Sequence, residues 1–90
     1  MKRVIIVHGW DGSPDEGWFP WLKNELNKKG VEVLVPEMPH AEAPEIELWI
    51  SKLENIVSIS NSETFFVGHS IGCQTIVRYL ERISSKVGGV

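Results

Sequence analysis

The run Gly68-His69-Ser70-Ile71-Gly72 sets a serine between two glycines in a G-x-S-x-G pattern. A serine hydroxyl becomes a nucleophile for acyl transfer when a base takes its proton and backbone N–H groups stabilise the oxyanion that forms. The pattern does this chemistry only on a tight turn between a strand and a helix. Here Thr64-Phe65-Phe66-Val67 precedes it, and Cys73, Ile76, Val77, Leu80 and Ile83 follow at helical spacing as one apolar face. The expected reading is strand, strained turn, helix, with Gly68 and Gly72 where the two elements must approach without a Cβ.

The elements that would hold this turn alternate along the chain. Arg3 to Val7 reads as a strand buried on both faces, and His8 to Trp18, rich in Gly, Asp, Ser and Pro, as a long loop at its end. A helix from about Pro20, with Trp18, Leu22 and Leu26 on one face, is expected to end at a left-handed Gly30. Val31, Val33, Leu34 and Val35 form a second strand stopped by Pro36, and Glu37 to Ala43 is a loop. Ile46, Trp49, Ile50, Leu53 and Val57 then repeat at i, i+3, i+4, i+7, which predicts a helix beginning at about Pro44. Val87-Gly88-Gly89-Val90 resembles the start of one more strand. Strands alternating with helices imply an α/β fold in three αβα layers around a short parallel sheet. Ligands of such sheets gather at the carboxyl ends of the strands, where strand order switches.

His8-Gly9-Trp10 and Gly68 to Gly72 both fall at such ends. The oxyanion donors expected there are the N–H of Ile71, which follows the serine, and one from the loop after the first strand, for which Trp10 is the candidate. Among the histidines, His69 adjoins Ser70 on a turn where neighbouring side chains diverge, so it is expected to pack at the elbow. His8 is expected to fix its loop by hydrogen bonding, with Gly9 beside it, and His40 to be solvated. Three scattered histidines and one cysteine show no metal-ligand spacing. Cys73 reads as a small buried group, and Trp18 and Trp21 as anchors of the long loop rather than walls of an acyl pocket.

Composition narrows the remaining classes. Ninety residues with 42% hydrophobic and 23% charged content describe one small globular domain. A net charge of −3 offers no basic field for nucleic acid. The apolar segment Val4 to Val7 is too short for a signal peptide or a membrane span, so a cytoplasmic location without membrane association is expected. A flavodoxin-like nucleotide binder ranks last, because Gly9, Gly12 and Gly17 do not fit G-x-G-x-x-G.

Four stretches in order, Val4 to Trp10, Gly17 to Leu22, Pro36 to Pro39 and Phe66 to Gly72, resemble the N-terminal half of the α/β-hydrolase superfamily. The resemblance is to the small serine hydrolases related to retinoblastoma-binding protein nine; Trp49 and the pair Arg78-Tyr79 also fit. It implies hydrolysis of carboxylic esters or related acyl compounds by Ser70, without metal or organic cofactor. Triads of this superfamily run serine, acid, histidine. After Ser70 the chain offers one carboxylate, Glu81, and no histidine. The expectation is therefore a single partial domain over residues 1–90, truncated after the helix that follows the serine. Acid and histidine would come from a complementing C-terminal half. The alternative is a non-catalytic interaction module that keeps the half-fold and associates with a partner or with itself.

Overall fold

A strand that is apolar along its length can be buried on both faces, and β1 (Arg3–Val7), apolar and buried from Val4 onward, is the axis of this fold. The structure is a computed structural model that describes all residues from Met1 to Val90. Around β1 the chain runs through α1 (Phe19–Lys28), β2 (Glu32–Leu34), α2 (Ile46–Val57), β3 (Thr64–Gly68) and α3 (Ile71–Arg82). Both neighbours pair with β1 in parallel, in the order β2-β1-β3. Order switches direction at β1, so the crevice for a ligand lies beyond the ends of β1 and β3.

Two cores follow from the alternation of side chains along β1. Ile5 and Val7 join Trp49, Ile50, Leu53 and Val57 of α2, Phe66 of β3, and Ile76 and Tyr79 of α3. Val4 and Ile6 join Phe19 of α1 and Val33 of β2 in a smaller cluster, flanked by partly buried Leu22 and Leu26. This is the expected αβα sandwich, with two helices on one face and one on the other.

Element boundaries follow local chemistry. Pro20 lies in the first turn of α1, and the helix closes at Gly30, whose φ of 79° gives the expected left-handed stop. Strand β2 is shorter than its apolar run, since Val31 and Val35 lie outside the ladder. Helix α2 starts at Ile46, two residues after Pro44, and buries the predicted Trp49, Ile50, Leu53 and Val57. The segment after α3 does return to the sheet: Gly89 bridges Phe65 in parallel, Gly88 N–H donates to Thr64 O at 2.8 Å and Phe66 N–H to Gly89 O at 3.0 Å.

Three sequence expectations are corrected. The inward face of α3 is Gly72, Thr75, Ile76 and Tyr79, while Cys73 is exposed and Val77 is 55% exposed. Close packing of Gly72 on the backbone of β1 sets the rotation of this helix, and a stripe counted from large apolar residues misses a contact made by a glycine. Leu80 and Ile83 do pack against the core, though only partly buried. Finally, Phe19 rather than its neighbours anchors the long loop, for it is buried whereas Trp18 and Trp21 are 40% and 64% exposed. No helix is long and apolar enough to cross a membrane.

Candidate active site

Ser70 stands between β3 and α3 with φ 58° and ψ −127°, a backbone conformation that a residue with a Cβ adopts only under constraint. The constraints are visible on both sides of the turn. His69 N–H donates to Val7 O at 3.1 Å, carrying the β1 ladder one residue past β3. Gly72 N–H donates to His69 O and Cys73 N–H to Ser70 O, each at 3.0 Å, so the helix starts at once.

The glycines make room for this turn. A Cβ on Gly72 would run into the carbonyl oxygen of Val7 and lie 2.7 Å from that of His8. One on Gly68 would lie 2.9 Å from the backbone of Cys73. A Cβ on Gly9 would lie 2.9 Å from Ser70 Cβ and 3.1 Å from His69 O. The loop after β1 therefore passes directly against the serine, as the sequence anticipates.

Trp10 N–H and Ile71 N–H are among the backbone donors of this region that have no protein acceptor. Ile71 is the first residue of α3, so its N–H belongs to the open end of the helix. The Trp10 side chain is 65% exposed, and its indole N–H donates to Glu42 O at 3.0 Å.

The three histidines take different roles. His8 is fully buried, with both ring nitrogens engaged: Nδ1 lies 2.9 Å from Gly9 O, and Nε2 lies 3.0 Å from Met38 N. Its ring meets the edge of Trp49 at 5.4 Å between centroids. His69 is exposed and lies edge-on to Trp18 and Phe19, both at 6.2 Å. His40 is a surface residue whose Nδ1 is 4.0 Å from the Glu42 carboxylate. Glu81 lies eleven residues along α3 from Ser70, roughly 16 Å by helical rise. None of the surface grooves of the fold is lined by Ser70, which lies open to solvent.

Sequence reasoning missed the part played by residues 38–42. Besides the bonds to His8 and Trp10, Ala41 O accepts from Asp11 N–H at 2.6 Å and Pro39 O from the Trp49 indole at 2.7 Å. Asp11 itself has φ 56°. Read as sequence, this proline-rich stretch signals only a loop, because its bonding uses a backbone N–H and backbone carbonyls, which carry no side-chain signature.

With this geometry in view, the comparisons are specific. The family model described as serine hydrolase matches residues 4–90. YdeN of Bacillus subtilis (strain 168), provisionally designated a hydrolase, is 36% identical over an alignment of 91 residues that covers 99% of this chain and 48% of the relative. The crystal structure of the ydeN gene product from B. subtilis agrees with this fold at a TM-score of 0.90 and 36% identity, over 96% of this chain and 46% of that one. The chain thus spans about half the length of the relative it matches. A family match across nearly every residue, together with that identity and that shared fold, places the chain in the serine hydrolase family.

Proposed function

We propose that these residues form the nucleophile-bearing N-terminal half of an α/β-hydrolase of the kind related to retinoblastoma-binding protein nine, cleaving carboxylic esters or related acyl compounds in the cytoplasm. The observation that carries the reading is the strained Ser70 backbone with Gly9 against its Cβ and the unpaired N–H groups of Trp10 and Ile71 on the flanking segments. Ser70 Oγ attacks the acyl carbon and gives up its proton to a base. The two N–H groups take the oxyanion, the base hands the same proton to the leaving oxygen, and the alcohol departs as the acyl-enzyme forms. Water then releases the acid by the reverse proton path.

In this reading the base is none of the histidines described. His8 has no free nitrogen, His69 lies against an aromatic pair, and His40 is on the surface. The acid and histidine come instead from a C-terminal half, and no metal or organic cofactor takes part. The test is labelling by a fluorophosphonate probe with a polypeptide corresponding to the rest of the YdeN fold added in trans. Labelling is expected at Ser70 and is lost in Ser70→Ala; equal labelling of the alanine variant overturns the proposal.

One observation favours a second reading, a non-catalytic interaction module. Phe65 and Val67 of β3, on the side of the sheet that α1 covers, are only partly buried. A complementing half, another protein or a second copy of the chain would cover them. Light scattering behind size exclusion separates the cases, since a stable monomer at micromolar concentration contradicts an obligate partner.

A further inference from the structure

We propose that His8 is a positioning residue that sets the direction of the Trp10 N–H by clamping the Gly9–Trp10 peptide. The inference rests on the assignment above of that N–H as an oxyanion donor. The carbonyl of this peptide belongs to Gly9 and its N–H to Trp10. In a trans peptide the two point in opposite directions within one plane, and the chain has no cis bond. Whatever holds Gly9 O therefore aims Trp10 N–H.

Gly9 O is held twice, by His8 Nδ1 at 2.9 Å and by Gly12 N–H at 3.1 Å. A carbonyl oxygen can only accept, so His8 Nδ1 must carry a proton. Met38 N–H can only donate, so His8 Nε2, 3.0 Å away, must be bare. One neutral tautomer satisfies both bonds, and no other form does. The ring is fully buried and wedged against Trp49, whose own indole N–H is tied to Pro39 O. Beyond the peptide, the bonds from Trp10 to Glu42 O and from Asp11 to Ala41 O pin the chain to the same 38–42 segment. The clamp thus joins the loop after β1 to the loop after β2 around a single peptide plane.

The test uses the full 90-residue chain labelled with nitrogen-15. In the unaltered chain, long-range proton–nitrogen correlation is expected to show His8 with Nδ1 protonated and Nε2 bare, and the Trp10 amide with an order parameter of about 0.85. His8→Ala is expected to drop the Trp10 value below about 0.6 while the amides of Ile71 and β1 keep theirs. His8→Gln, which retains a donor and an acceptor, restores the order. An ordered Trp10 amide in His8→Ala overturns the clamp. So does a proton on Nε2 of the unaltered chain, a measurement that decides the matter even where the alanine variant does not fold. With the C-terminal half present, His8→Ala is expected to lower kcat by about 10²- to 10³-fold with KM unchanged, and an unchanged kcat counts against the proposal. The resonance readouts do not involve Ser70 chemistry, so failure of the hydrolase reading and failure of the clamp give different results.

Discussion

Ser70 and the glycines around it test how local geometry is held against strain. Ser70→Gly and Ser70→Ala both remove the hydroxyl, but only glycine is at ease at φ 58°. The glycine variant is therefore expected to be more stable than the alanine variant by about 1 kcal/mol in urea unfolding. Equal stabilities would mean that the turn holds no strain. Gly72→Ala should cost roughly 1–3 kcal/mol, because the added methyl meets the Val7 and His8 carbonyls, backbone atoms that cannot swing aside. Gly9→Ala acts differently, since its new Cβ presses on Ser70 itself. Its expected signature is slower fluorophosphonate labelling together with a stability loss of about 1–3 kcal/mol, because the Ser70 Cβ and the His69 carbonyl it meets cannot swing aside. The roles of Gly68 and Gly72 are legible in the sequence, because the motif fixes their distance from a serine. The approach of the Gly9 loop to Ser70 is legible only through topology, since about sixty residues separate them and it is the rule that ligand loops gather at the carboxyl ends of parallel strands that brings the two together.

Helix phase marks the limit of what apolar spacing reveals. In α2 every inward position carries a large side chain, so Trp49, Ile50, Leu53 and Val57 announce the buried face. In α3 two of the four buried positions are Gly72 and Thr75, and the apolar residues Cys73 and Val77 mislead. Thr75 is accommodated because its hydroxyl donates to Ile71 O at 3.0 Å, one turn back. A paired comparison checks the phase. Ile76→Ala is expected to cost about 2–5 kcal/mol, as for a fully buried aliphatic group, whereas Val77→Ala should stay within about 0.5 kcal/mol. Tyr79→Phe probes the same face. It strands the buried Ser60 hydroxyl, now 2.8 Å from the Tyr79 oxygen, at an expected cost of about 1–3 kcal/mol. Comparable losses at positions 76 and 77 would restore the phase read from the sequence.

For the molecule as a whole, stability should fall away from β1 toward both edges of the sheet. Ile5, Ile6 and Val7 are fully buried and contribute to both cores, and β1 is paired on both sides as far as Ile5. Strand β2 has three residues, and beyond β3 a single bridge at Gly89 continues the sheet. The α1 core holds four buried residues against ten in the core shared by α2 and α3, so the two faces are unequal. Local opening follows such differences in burial and pairing. Native-state hydrogen exchange is therefore expected to find the slowest amides in β1 and in the inward positions of α2, with α1 and β2 opening earlier and residues 83–90 first of all. The site straddles this gradient: His8 and Gly9 continue the most protected strand, while Ser70 sits on the side whose outer neighbour is the lone bridge. A partner that covers β3 should slow exchange at residues 64–68 and 88–89 more than in β1, which is already protected. Uniform slowing throughout the chain would instead indicate global stabilisation without a contact at β3.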